Sequence, residues 1–303
     1  KGACSAGSLR IAGHLCARVL HAPAMAERPD LEYQVPILQE RLRDQRIVDV
    51  SVQKPIVLRV AVRGDAPSLL RDQVWSRVER RAHFVVFDFQ KPALQMVVSP
   101  MLAGRFLFAE GKKLPRDTAV SWTLGNGETL VYRDDVQMGK VYIIERGAWQ
   151  LVPGLASIGV DVLSPSFTPE LLRTLAKKRR DQVRVFLMDK SALDAFGNAY
   201  ADEALWEAKL HPKTMVNKLT PEDLDRLHAA IVKVMREAVD TIQARKPPLD
   251  EKLRDFLKVR NRHAEKCPRC GDTIRRAGVH GHDTFFCPTC QPETRKTGIV
   301  SWK

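Results

Sequence analysis

The residues with the clearest chemistry lie near the C-terminus: Cys267-Pro-Arg-Cys270 and Cys287-Pro-Thr-Cys290, two Cys-x-x-Cys knuckles separated by sixteen residues. Four thiolates converging at about 2.3 Å satisfy a tetrahedral Zn²⁺, and two short-spaced pairs on a hairpin supply that convergence. A disulfide pair or a redox motif is the other use of such cysteines, and the paired spacing favours zinc. With Cys267, Cys270, Cys287 and Cys290 all bound, one such ion is structural and has no position left for catalysis. The runs 273–276 and 283–286 read as two short strands, with Gly278 and Gly281 at the tip between them. Arg275, Arg276, His280 and His282 lie on or beside that tip, so they are what the ribbon presents to a partner.

The totals point to an anionic partner. The 303 residues carry a formal net charge of +13 and the pI is near 9.6. Nucleic acid fits this balance better than a membrane, since no apolar run approaches the roughly 20 residues of a spanning helix. A chain of this length holds about two or three domains with cores of their own. Zinc-binding thiolates imply a reducing compartment, hence a cytoplasmic protein.

These residues need elements to position them. Residues 1–25 contain no acid and carry Lys1, Arg10 and Arg18, while Gly13, His14 and Arg18 break any secretory core. Such a segment reads either as an organellar transit peptide or as a leader upstream of a true start at Met25. Leu31, Val35, Leu38 and Leu42 then recur at helical spacing, predicting a helix to about residue 44 in which Pro36 imposes a late start or a kink. Strand-like runs follow at 47–52, 56–62, 78–89, 94–98, 120–124, 129–133 and 140–145, with Asn126-Gly127 as a hairpin turn. They predict an antiparallel β-sandwich or flattened barrel, the sandwich domain spanning 26–163. A helical domain over 164–246 starts at Thr168-Pro169 and includes Gly197 to Lys209. It ends in a long helix capped by Thr220, with a core stripe of Leu224, Leu227, Ile231, Val234 and Ala238. A polar linker, 247–264, leads to the ribbon at 265–303, so the fold class is α+β and multidomain.

Three motifs recur in this order: Ala26-Glu27-x-Pro29-Asp30-x-Glu32, then Gly197-Asn198-x-Tyr200-Ala201-Asp202-Glu203 with His211-Pro212, then the four-cysteine ribbon closing at Gln291. Together they resemble the formamidopyrimidine-DNA glycosylase/endonuclease VIII (Fpg/Nei) family over roughly residues 25–291. The resemblance implies a sandwich, a helix–two-turn–helix domain and a zinc ribbon. It also implies a monomeric DNA-repair glycosylase with abasic-site lyase activity, acting on duplex DNA that carries damaged bases or abasic sites. A damaged base is attacked only after it is flipped out of the stack, a wedge fills the gap, and cations hold the phosphates. By position, Ala26 would supply the N-terminal amine that attacks sugar C1′ and Glu27 the proton shuttle.

The departures from that pattern bear on activity. Ala26 stands where the family usually has Pro; freed by removal of Met25, it presents a primary amine with a reference pKa of about 7.7–8.0. His83 replaces a Lys after Arg80-Arg81, and His282 replaces an Arg of the ribbon tip; both are phosphate grips in the family. Two imidazoles that titrate near 6.5 would make DNA affinity rise as pH falls from about 8 to 6. Asn198, a phosphate contact in the family, is kept, and Arg105 is a further candidate; Lys190 stands where Gln is usual. Leu102 and Met138 take the places of the intercalating wedge, without an evident arginine for the orphaned base. The alternative reading is a divergent member that binds abasic or distorted DNA without cutting it. A zinc-ribbon RNA-binding protein is a more distant rival, as it has no use for the Glu27 segment.

Overall fold

The computed structural model describes residues 26–111, 113–194 and 196–293, so the leader expected at 1–25 and the end of the ribbon lie outside the described residues. Helix α1, Arg28–Leu42, places Pro29 in its first turn, where a missing N–H costs nothing. It begins before Pro36 and runs past it, which excludes the late start. Leu31, Leu38 and Leu42 are fully buried along its inner face.

The sheet domain follows: β1 Ile47–Val52, β2 Leu58–Val60, a short α2 Ala66–Leu70, then β3 Trp75–Arg81, β4 Phe84–Phe89 and β5 Leu94–Ser99. β6 Arg105–Ala109, β7 Thr118–Leu124, β8 Thr129–Arg133 and β9 Lys140–Glu145 complete it. A four-stranded sheet ordered β1-β7-β8-β6 faces a five-stranded sheet ordered β2-β9-β5-β4-β3. The expected antiparallel sandwich holds except that β2 pairs with β9 in parallel. Trp75, Phe87, Phe106, Trp122 and Tyr132 fill the space between the sheets. The other face of β4 is also covered, since Phe84 and Val86 pack under Val152 and Leu155; that is why β4 is apolar without alternation.

The run 78–89, read from sequence as one strand, is two. The chain reverses at Ala82-His83 so that Arg81 sits opposite Phe84, and Ala82 takes a φ of 58°. No Gly or Asn marks this turn, because an alanine has been made to adopt a left-handed conformation that the sequence does not advertise.

In the helical domain, β10 Val160–Asp161 pairs in parallel with β11 Leu193–Asp194, with α3 Pro169–Ala176 and α4 Val183–Met188 between them. α5, Asn198–Glu207, and α6, Pro221–Arg245, complete it. Thr168 and Thr220 cap α3 and α6 as their sequences predict. The α6 stripe buries Leu224, Leu227, Ile231 and Ala238, while Met235 takes the inner place expected of Val234. In the ribbon, β12 Arg275–Val279 and β13 His282–Phe286 turn at His280-Gly281, whose φ values are 48° and 75°. Gly278 therefore lies within β12, opposite Asp283, and not at the tip. Among the described residues no helix is long and apolar enough to cross a membrane.

Two buried ionic networks join these parts. Arg80 donates to Glu32, Asp161 and Asp194 at 3.2, 2.7 and 2.8 Å, tying β3 and α1 to the β10–β11 pair. The segment read as a polar linker forms a strap. Tyr33 and Gln34 of α1 each donate to its carbonyls at 2.8 Å, and Asp250 accepts from Arg133 at 2.5 Å. Arg254 then grips both oxygens of Asp30 at 2.9 and 2.6 Å. A forked, fully buried pair of this kind fixes position more than it adds stability.

Candidate active site

Glu27 crosses from the sheet domain to the first turn of α5. Its carboxylate accepts the backbone N–H groups of Gly197 and Ala199 at 3.0 Å each and of Tyr200 at 3.4 Å. Helix N-termini attract a carboxylate through these same unpaired donors and the helix dipole. Burial is the largest influence on its acidity and pushes the carboxyl pKa up, against the pull of Arg254 and the helix amides. A carboxyl group whose burial favours its protonated form is suited to giving and taking a proton. Asp30 holds the other side by accepting the Glu27 N–H at 2.9 Å. The nitrogen of Ala26, next in line and buried, donates to the Met101 carbonyl at 3.4 Å.

Gly197 is needed for this contact. A Cβ there would lie 2.4 Å from the Glu27 carboxyl carbon. Gly197→Ala is expected to displace that carboxylate and to lower stability by about 1–3 kcal/mol, measured by urea denaturation. Unchanged stability would mean the carboxylate is not held here.

The two residues proposed to fill a gap in a duplex lie on adjoining loops. Leu102 sits in the turn closed by Gly104 N–H on Pro100 O at 2.8 Å. Met138 rides a loop wrapped round Asp134, whose carboxylate accepts from Val136, Gln137 and Gly139 N–H at 3.1, 2.8 and 2.7 Å. The Tyr132 hydroxyl is wedged between the loops, since a Cβ on Gly104 or Gly139 would come within 2.3 or 1.9 Å of it. Met138 and Val136 are 43% and 40% exposed, so an apolar surface faces outward here without a protein partner. Arg105 lies across the base of these loops, donating to Ala103 O at 3.1 Å and to Asp135 at 3.3 Å.

Asn198 opens α5. Its side-chain oxygen accepts from Arg184 at 2.8 Å, so N–H donors are what its amide offers an acceptor. Arg184 also donates to the Asp283 carbonyl of β13 at 2.9 Å and to Asp202 at 2.9 Å. Asp202, 1% exposed, further accepts from Arg260 at 2.8 Å, Thr284 at 2.6 Å and Phe285 N–H at 3.1 Å. Glu203 caps the strap by accepting three successive N–H groups, Lys258 to Arg260, at 2.8 to 2.9 Å. The Asp202-Glu203 pair therefore locks the ribbon onto α5. His282 is exposed and, with His280, Arg179 and Arg184, lines a cleft of about 430 Å³ between ribbon tip and α4.

His83 does not behave as the sequence suggested. Its ring lies 4.1 Å from that of Phe84, and burial, aided by Lys190, holds its pKa down to about 3. It stays neutral throughout the physiological range, so it cannot replace a fixed cation by titrating. Lys190, which sequence reasoning set aside, is close enough to depress it and supplies a positive charge beside that position. Lys252, also missed, donates to the Leu102 carbonyl at 3.3 Å.

The four cysteines fit a zinc ion. Their Sγ atoms all lie within 4.8 Å of one another, with Cys267–Cys290 at 3.8 Å and Cys270–Cys287 at 3.4 Å. A tetrahedron with Zn–S bonds of 2.3 Å has edges of about 3.8 Å. Trp206 Nε1 donates to Cys267 Sγ at 3.4 Å, and Cys290 N–H to Cys287 Sγ at 3.5 Å. Arg269 packs over the Trp206 ring at 3.8 Å, so the metal knuckle is built against α5.

Three family models match the chain. The formamidopyrimidine-DNA glycosylase N-terminal domain covers residues 25–141, the formamidopyrimidine-DNA glycosylase H2TH domain 158–246, and the zinc finger found in FPG and IleRS 264–292. A formamidopyrimidine-DNA glycosylase of Pelotomaculum thermopropionicum is 30% identical over 274 residues, covering 88% of this chain and 99% of the relative. Its counterpart from Cytobacillus firmus is 32% identical over 275 residues, covering 88% and 100%. Among solved structures, Lactococcus lactis Fpg in complex with an abasic site containing DNA is similar in fold. The TM-score is 0.79 at 23% identity, with 88% of this chain and 100% of that chain covered.

Proposed function

Since the chain belongs to the formamidopyrimidine-DNA glycosylase family, we propose that Ala26 and Glu27 are the groups with which it works on DNA. It is a DNA glycosylase of base-excision repair with an abasic-site lyase activity, and its ribbon carries one structural zinc. Its partner is duplex DNA with damaged bases or abasic sites, bound by a monomer, and we place it in the cytoplasm at the nucleoid.

The observation that carries the assignment is Glu27 on the first turn of α5, beside the Ala26 nitrogen. In a chain beginning at Ala26 that nitrogen is a primary amine. Its lone pair adds to C1′ of a flipped nucleotide while Glu27 exchanges a proton with the sugar or the departing base. Leu102 and Met138 fill the space the nucleotide leaves. Asn198, His282, Arg105 and Lys190 hold the phosphates on either side, and neutral His83 contributes shape or a hydrogen bond.

The test is a chain beginning at Ala26 with a duplex containing one abasic site. Strand cleavage supports an enzyme at this site; tight binding without cleavage would favour a protein that recognises the site and leaves it intact. The pH response is a second expected result. Because His83 protonates only near pH 3, His83→Gln should leave DNA affinity equally pH-dependent between about pH 8 and 5. Fluorescence anisotropy measures this, and a flattened profile in the variant would show that His83 titrates on DNA.

A further inference from the structure

The turn that holds the Ala26 nitrogen also holds a second nitrogen, from a lysine. Ala26 N donates to Met101 O at 3.4 Å and Lys252 Nζ to Leu102 O at 3.3 Å, so the two nitrogens occupy successive carbonyls of one turn. That turn also carries the Leu102 side chain proposed to enter the duplex. We propose that Lys252 is a second imine-forming residue, whose Nζ can take the C1′ aldehyde of a ring-opened abasic site. The proposal rests on reading this site as a centre that processes abasic DNA, and does not require Ala26 to be the nucleophile.

The position of Lys252 is built, not incidental. It belongs to the strap after α6, and two residues later Arg254 is clamped by both oxygens of Asp30. Among the described residues, the charged groups near Nζ include Asp30 and Glu27 at the start of α1, Arg254 of the strap and Arg105 of β6. Burial, aided by Arg254 and Arg105 and opposed by Asp30 and Glu27, lowers its pKa to about 8. An unprotonated fraction is therefore available near neutral pH, as an imine-forming lysine requires.

The step balances without any oxidant or reductant. The Nζ lone pair forms the bond to C1′, the carbonyl oxygen takes up the two amine protons, and water leaves to give the imine. Loss of a proton from C2′ then drives breakage of the C3′–O bond, whose electron pair leaves with the phosphate. Water finally hydrolyses the imine and returns the amine.

The experiment uses the full 303-residue chain, whose Ala26 nitrogen is an amide and cannot react. It is mixed with a duplex bearing an abasic site and with borohydride, which delivers hydride to the imine carbon, and the adduct is located by peptide mass spectrometry. The expected adduct is on Lys252, and its yield should rise several-fold between about pH 7 and 9. Lys252→Met and Lys252→Arg should each lower that yield at least about tenfold while DNA binding and zinc content persist; the Arg variant keeps the charge but forms no imine. No adduct in the full chain, or an undiminished one in both variants, overturns the proposal. In a chain beginning at Ala26, an adduct on Ala26 alone would overturn it and leave the proposed function standing. An adduct on Lys252 alone would support it and remove Ala26 as the nucleophile.

Discussion

Glu27→Gln should abolish base excision by a chain beginning at Ala26, with a loss of about 10²–10⁴ in single-turnover rate. Two effects add. An amide cannot exchange the proton that the chemistry needs, and one end of Gln would point N–H groups at backbone donors. Glu27 Oε2 now accepts from Gly197 and Tyr200 while Oε1 accepts from Ala199. Turning either oxygen into NH₂ leaves a buried N–H unmatched, at a cost of about 1–3 kcal/mol. Reaction at a preformed abasic site should survive in part, because its aldehyde is already exposed. A variant that excises damaged bases at the wild-type rate would remove Glu27 from the mechanism.

Zinc removal should cost more than any single side chain away from Glu27. The ribbon brings only Cys267, Ile274, Phe285 and Cys287 to the buried apolar cluster it shares with Trp206 of α5 and Val259 of the strap, too little to fold without metal. In such modules the metal's binding free energy, about 10–16 kcal/mol, is the folding free energy. Chelation or Cys267→Ser should unfold β12 and β13 and strip Asp202 and Arg184 of their ribbon partners. The sheet and helical cores are separate clusters and should persist by circular dichroism. DNA affinity should then fall by at least about 100-fold, as His282 and the tip lose their place over α5. Full affinity in a metal-free sample would show that the ribbon does not touch DNA.

The elements were legible where chemistry is local. Knuckle spacing gave the metal, Asn126-Gly127 gave a hairpin, and Thr220 gave the start of α6, because each is decided by neighbours in sequence. The turn at Ala82 was not, since an alanine at positive φ carries no mark. The 247–264 segment read as a linker because its partners are distant: Arg254 meets Asp30 and Lys252 meets Leu102, contacts that no periodicity encodes. Arg80 gave no sign in the sequence of its role as an internal tie, because its partners Asp161 and Asp194 lie far along the chain. Glu27 and Ala26 were visible only through the family pattern, because the partner of Glu27 is the backbone of residues 197–200 and backbone amides leave no trace in sequence. The titration expected of His83 failed for a related reason: its residue type was plain, but its burial was not.

The most direct measurement is borohydride trapping of a chain that begins at Ala26 on abasic-site DNA, with the modified residue located by mass spectrometry. The expected product is a covalent adduct on the N-terminal peptide, with the sugar attached through the Ala26 nitrogen. Tight binding to the same DNA with no modification at Ala26 would contradict it.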